Sequence, residues 1–294
     1  MEHKREKTRS SCAVIWNIVR NEYVRWICNP RMILFFGMML FVETYVAEGM
    51  YTYSEKMGQP FGVLEIFIAV ANSVELCVLI PAVYLLLIGD FPRRDGNTLL
   101  YVHRAGKYNW LLGQILTSVF SIVTYLGAIL AGCTLMGVGH CFVGNRWSDV
   151  VTKYKTLFPE DVEASVSRLI TERLYNNFSP YQAFGYSFSL LFCLLFFLAM
   201  LKLLFFLLEK PTVGVAVGGC LIGFGWVFCV LELKMKWIFP LSHAVEWQHC
   251  DEVFRYMTVS LGQSYVYFAG ISLVFIFVSI TLVERYNFGY VEQR

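Results

Sequence analysis

The chain has 294 residues, of which 57% are hydrophobic and only 16% charged, and its formal net charge is +2. So much apolar surface exceeds what one water-soluble core can hide, which excludes a soluble globular domain and points to a membrane protein. A charge balance this close to neutral gives no footing for nucleic acid as a partner.

Residues 1–31 form a basic lead-in, with Lys4, Arg5, Lys7, Arg9, Arg20, Arg25 and Arg31. Within "AVIWNIVRNEYVRWICNPRMILFF", helical spacing gathers Ile15, Trp16, Val19, Tyr23, Trp26 and Ile27 on one side and sets Asn17, Asn21 and Arg25 opposite. Val14, Ile18 and Val24 blur the polar side. The pattern predicts an amphipathic helix lying in the membrane interface, ended by Asn29-Pro30. A simple topogenic anchor is the competing reading.

Six runs then meet the length a bilayer demands, about 20 apolar residues per helix. They fall near Met32–Gly49, Phe61–Gly89, Trp110–Val138, Gln182–Leu208, Thr212–Leu231 and Tyr265–Val283. The runs are continuous and do not alternate in period two, which argues against a barrel. The first starts too far in and is too long for a cleaved signal peptide. The domain plan is therefore a lead-in (1–31), a six-span membrane domain (32–283) and a short tail (284–294).

Orientation follows from the basic residues, because positive loops stay inside. The lead-in, the 89–109 loop with Arg93, Arg94, Arg104 and Lys107, and the residues Lys210, Arg285 and Arg294 share one side. Fourteen basic residues lie there against nine on the other, which places both termini in the cytoplasm of a cell whose plasma membrane the chain spans. The outer side then holds the segments 139–181 and 232–264. In the first, Pro159-Glu160-Asp161 opens a helix whose apolar face is Val162, Val166, Leu169 and Ile170. In the second, "KWIFPLSHAVEW" predicts a short re-entrant helix with Trp237 and Trp247 as interfacial anchors.

Of nine cysteines, only Cys141 and Cys250 fall outside, each after a histidine. A disulfide between them, a metal site and neither are all open; adjacent His-Cys pairs about a hundred residues apart are poor metal geometry, and no metal is expected.

A search for catalytic chemistry finds nothing. The sequence has no G-x-x-x-x-G-K-[ST] loop, no G-x-G-x-x-G after a strand, no H-E-x-x-H and no G-x-S-x-G elbow. The chain is therefore not expected to be an enzyme by itself, and no cofactor is expected in it.

Within the second run, Glu65, Asn72 and Glu75 share one helical sector, and Glu75 falls near mid-membrane, where a carboxylate costs on the order of 3 kcal/mol. With Glu43 and Glu48 at the outer end of the first run, these polar groups are candidates for a substrate path. The competing reading has Glu75 protonated and bonded to a neighbouring helix, and Glu43 and Glu48 at the headgroups. Pro81 predicts a kink in the same helix. Lys202, in the fourth run, differs from Glu75 in depth by about 9 Å and is expected to snorkel to the cytoplasmic interface.

The fifth run, "PTVGVAVGGCLIGFGWVF", holds Gly214 and Gly218, then Gly219 and Gly223, two small-xxx-small pairs that let a helix approach closely. Dimer packing and packing within one chain both fit.

The order of these parts, from an interfacial helix through six spans, a basic loop "DFPRRDGNTLLYVHRAGK" after the second span and "FPLSHAVEW" ahead of the sixth, resembles the permease subunit of ABC-2 type transporters. That resemblance implies an all-α exporter subunit whose 89–109 loop is a coupling helix, with Asp90, Arg93, Arg94, Asp95, Arg104 and Lys107 as contacts to a separate ATPase. It also implies two ATPase copies holding ATP and Mg, and a second permease, identical or homologous, packed through spans one and five. The cargo would be a hydrophobic or amphipathic peptide or drug. A non-transporting membrane sensor or assembly subunit is the alternative, and a topogenic loop is the alternative for the arginines.

Overall fold

The computed structural model describes residues 12–73, 76–93, 96–161, 170–251 and 256–286. Its helices are α1 (Cys12–Ile27), α2 (Pro30–Met57), α3 (Glu65–Asn72), α4 (Leu79–Leu87), α5 (Gly96–Ala105), α6 (Lys107–Met136), α7 (Asp149–Leu157), α8 (Glu172–Asn177), α9 (Pro180–Leu207), α10 (Pro211–Val230), α11 (Pro240–Ala244) and α12 (Leu261–Arg285). The strands are β1 (Phe61–Gly62) and β2 (Cys141–Phe142), which pair in parallel with Phe61 opposite Cys141.

Among the described residues, five helices are long and apolar enough to cross a membrane: α2, α6, α9, α10 and α12. Helix α9 is their hub. It packs on α3, α4, α6, α10 and α12, and 72% of its most apolar stretch is buried, against 22–33% for the other four. Those four keep broad apolar faces outward; on α12, Val266, Leu273, Val274 and Phe277 are all more than half exposed. A contiguous apolar exterior of this kind is tolerated in lipid and not in water, so the chain is a multi-pass α-helical membrane protein.

Local chemistry sets the helix starts. Ser260 and Gln263 form a capping box ahead of α12, the Ser260 Oγ accepting from Gln263 N at 3.3 Å and Gln263 Oε1 from Ser260 N at 3.0 Å. Ser179 and Gln182 do the same for α9, which places Pro180 at the first helical position, where its missing N–H costs nothing. Both helices therefore begin a few residues before the hydropathy run.

The 61–89 run departs most from expectation. It is not one helix: α3 ends at Asn72, Ser73 is extended (φ −63°, ψ 135°), and α4 starts at Leu79. Ser73 stabilises the interruption, its Oγ accepting from Leu76 N at 3.3 Å and its carbonyl from Cys77 N at 2.9 Å. Pro81 does not kink a continuous helix. It sits in the first turn of α4, where its nitrogen needs no partner, and the break lies ahead of it.

Helix α1 packs along α6 on a face that overlaps the predicted one at Val19 and Trp26 and is shifted toward Ile18 and Glu22, with Asn17 and Asn21 exposed. Ile18, Val19, Glu22 and Trp26 are buried, while Trp16 and Ile27 are exposed. Gly113 of α6 admits Ile18 so closely that a Cβ there would lie 2.7 Å from it. Helix α2 is continuous but contains a π-helical segment at Glu43–Ala47.

Candidate functional site

Two clusters gather the chemistry, one at each end of the bundle. The first forms where α3 stops. Asn72 is fully buried, and its Nδ2 donates to Ser187 Oγ on α9 at 2.6 Å. Ser187 in turn donates to Glu246 Oε2 at 3.0 Å, and the Glu246 backbone N–H returns to Asn72 Oδ1 at 3.1 Å, closing a ring. Trp247 Nε1 caps the broken helix by donating to the Asn72 carbonyl at 2.7 Å.

Glu246 reaches this ring because the segment from Pro240 folds inward: α11 and residues Glu246–His249 are buried throughout, against α9, α10 and α12. Gly225 of α10 allows it, since a Cβ there would stand 3.0 Å from Leu241 Cβ. Burial pushes the Glu246 carboxyl up to about 9, so at neutral pH it is the protonated acid, and its Oε1 is buried without a hydrogen-bond partner. A neutral acid of this kind is not a base; it holds the ring together.

Two histidines extend the cluster. His243 Nδ1 lies 2.8 Å from Ser264 Oγ and its Nε2 2.8 Å from the Trp237 carbonyl. His249 faces two carbonyls, Val259 O at 2.9 Å from Nδ1 and His243 O at 3.3 Å from Nε2. Burial lowers both pKa values, so each ring is neutral, and we assign the single N–H of His249 to the nearer carbonyl. Lys236 donates to Gln248 Oε1 across the same segment.

The structure scatters the predicted path residues. Of the predicted path residues that are described, only Asn72 joins the ring. Glu65 is buried elsewhere, its Oε1 accepting from Ser148 N at 2.8 Å and its Oε2 from Ser148 Oγ at 2.7 Å and Gly62 N at 3.0 Å, so this carboxylate clasps the start of α7. Glu43 and Glu48 are exposed at either end of the π-helical segment. Glu75 lies outside the described residues, as do Val162, Val166 and Leu169 of the predicted outer helix. Trp247 is a buried cap and not an interfacial anchor; only 4% of it is exposed, and Arg173 stacks over its ring at 5.5 Å. Cys141 and Cys250 are both free thiols, Cys141 on β2 and Cys250 bridging to Met257.

The second cluster occupies the opposite end. The 89–109 loop contains α5, which packs on α6 and α1 and turns into α6 through Gly106, whose φ of 84° suits a residue without a side chain. Asp90 pairs with Arg31 Nη2 at 2.7 Å, and Arg31 Nη1 reaches the Leu86 carbonyl at 3.3 Å. Gly89 leaves room for that guanidinium, because a Cβ would meet Nη1 at 2.6 Å. Lys107 Nζ donates to the Glu284 and Tyr286 carbonyls at 2.9 and 2.8 Å, neutralising the negative end of α12. Arg104 is exposed and Arg93 half-buried; Arg94 and Asp95 lie outside the described residues. Lys202 reaches toward this end of the bundle, its ammonium donating to the Pro211 carbonyl at 2.7 Å, but it stays 1% exposed.

The α10 glycines divide by face. Gly214 and Gly218 pack inside the chain, against Phe205 and against Leu85 and Leu198, whereas Gly219 and Gly223 have nothing within 4 Å of a built Cβ.

Sequence reasoning did not single out Ser187, Glu246 or His243, and marked His249 only as the neighbour of Cys250. The only signal was their polarity beside apolar runs, and for Ser187 a lone hydroxyl inside one. No family model matches the chain, and neither does any curated protein or solved structure.

Proposed function

We propose that this chain is the membrane-spanning permease subunit of an ATP-driven exporter of the ABC-2 type. In this reading α3 and α4 together make one interrupted pass, giving six passes with both termini in the cytoplasm of a plasma-membrane protein. Helix α5 is the coupling element that meets a separate ATPase, which holds ATP and Mg. A second permease, the same chain or a relative, meets this one partly through the open Gly219 and Gly223 face of α10.

The single observation carrying the reading is the interrupted helix itself. Its broken end is hydrogen-bonded to α9 and to the inward-folded segment, while its other half, α4, leads through residues 88–95 to α5, whose last turn carries His103 and Arg104. Interrupted membrane helices with polar groups at the break are the usual material of transport sites. A push on α5 would travel along α4 to the ring that holds Asn72, Ser187 and Glu246. Opening that ring exposes polar groups amid aromatic-rich walls such as Phe67, Phe184 and Phe188, which suit a hydrophobic or amphipathic peptide or drug.

The test is to purify the full chain from its native membranes and assay for a bound P-loop ATPase. A stoichiometric ATPase whose binding is lost on Arg104→Glu, with the chain still inserted, supports the reading. Absence of any ATPase from a stable, inserted preparation overturns it and leaves a non-transporting subunit. Orientation is checked in intact cells with an impermeant thiol reagent, which should label Cys141 and spare the exposed Cys12 and Cys28; labelling of Cys12 reverses the topology.

A further inference from the structure

The basic end of the bundle carries an open cavity of about 1210 Å3 between the start of α2, the end of α4, the end of α9 and the start of α10. Four cations reach its wall, Arg25, Arg31, Arg93 and Lys202, against one carboxylate, Asp90. Two of the four are matched: Arg31 by Asp90 at 2.7 Å, and Arg25 by Glu22 at 3.5 Å. Among the described residues, no carboxylate stands within ion-pair distance of Arg93 or Lys202.

Lys202 is the informative one. An ammonium almost wholly removed from water, with one backbone carbonyl as its hydrogen-bond partner, keeps two N–H donors and a full charge to be offset. The first turn of the 20-residue α10 lies in the same wall at Pro211 and Thr212, adding the positive end of a helix dipole. Apart from Asn29 the rest of the wall is apolar, and Leu34 and Leu86 are exposed on the outside of the bundle beside the cations.

We propose that this cavity binds a phosphate group, that of a phospholipid with an anionic headgroup. Arg93 and Lys202 donate to the phosphate oxygens, and Leu34 and Leu86 lie along the first part of the acyl chain. Paired arginine and lysine suit a phosphate, the first as a flat fork and the second as a point charge. An apolar wall running from the cations to the bundle's exterior suits a ligand with a tail and is of no use to a free ion. Basic pockets between membrane helices near the headgroups are an expected place for such lipids. The site does not depend on the transport reading. Because Lys202 is too buried to touch a docked protein, its substitution tests the lipid without disturbing an ATPase contact.

The experiment uses the full chain in nanodiscs of phosphatidylcholine mixed with phosphatidylglycerol, the lipids retained after extraction being counted by native mass spectrometry. The wild type should retain phosphatidylglycerol over phosphatidylcholine by about tenfold. Lys202→Gln and Arg93→Gln should each bring the ratio close to one, Lys202→Arg should keep it, and Lys153→Gln at the other end should not change it. If Lys202→Gln fails to insert, Arg93→Gln at the cavity wall decides the matter alone. A parallel arm adds inorganic phosphate; displacement of the lipid at a phosphate concentration no higher than that of the lipid assigns the site to a soluble anion and overturns the lipid proposal. An unchanged ratio in the neutralised variants, or no preference in the wild type, overturns the site itself.

Discussion

The two ends of the bundle handle polarity in opposite ways. Where α3 breaks, Asn72, Ser187 and Glu246 are hydrogen-bonded in a closed ring that leaves Glu246 Oε1 outside it, and the one acidic group in it gives up its charge. At the basic end the groups stay charged and positive charge outnumbers negative across an open cavity. Neutral polar groups in a low-dielectric interior stabilise only when each finds a partner, so the ring should be intolerant of single changes. Arg31 and Asp90 stand near water, where charges are screened and replaceable, so that pair should be forgiving in stability and the cavity sensitive in binding.

The largest effect should come from opening the ring. Asn72→Ala leaves the Ser187 hydroxyl without its donor and the Glu246 backbone N–H without its acceptor, and should cost about 3 kcal/mol in thermal or denaturant unfolding. A loss below half a kilocalorie would mean that the ring is not a closed unit and would erase the contrast. Gly214→Ala should follow, because its methyl would meet Phe205 Cβ at 2.6 Å; overpacking of that kind costs about 1–3 kcal/mol, while Gly219→Ala, facing open space, should be silent. Equal effects at the two glycines would show that α10 presents its other face to the chain.

The pH dependence of Glu246 is opposite in sign to that of the usual carboxylate. Its pKa rises from 4.5 to about 9 on folding, so the folded state holds the proton more tightly. The stability it contributes is complete below pH 4.5 and is lost as pH rises toward 9. His243 and His249, lowered by burial, act the other way and lose stability as pH falls below 6.5, so the difference curve between wild type and Glu246→Gln isolates the acid. A difference curve that rises with pH would show that the carboxyl is ionised in the ring. The smallest effect belongs to the basic end: Asp90→Ala, which frees the half-exposed Arg31, should cost about 0.2–1 kcal/mol in unfolding. A loss of several kilocalories there would make the two ends alike.

Five helices were legible because twenty apolar residues in a row leave few alternatives in a membrane protein. Their ends were less so, since the Ser179/Gln182 and Ser260/Gln263 boxes act on backbone groups and hydropathy ignores them. The break in the second run hides in "IAVANSVELCVLI", where apolar residues continue on both sides and only the Asn72-Ser73 pair marks the change. The α10 glycines stayed open between packing in the chain and packing in a dimer, because nearly every side of that helix is apolar or small and periodicity does not tell which part meets protein and which meets lipid. The re-entry of the segment that holds His243 and Glu246 was legible in "KWIFPLSHAVEW", but the partners of these side chains were not, because they lie on α3 and α9, far away in sequence.

The π-helical turn at Glu43–Ala47 means that α2 carries one residue more than an α-helix of the same rise would hold. An inserted residue can be removed. Deleting Tyr45, an exposed position inside the turn, would let the ordinary hydrogen-bond ladder close over the same rise, so the helix beyond would keep its direction and Tyr53 its place beside Tyr154, whose ring centroid is 3.8 Å from its own. The turn thus acts as slack in the chain: one residue is taken up in the widened turn without turning the faces on either side of it.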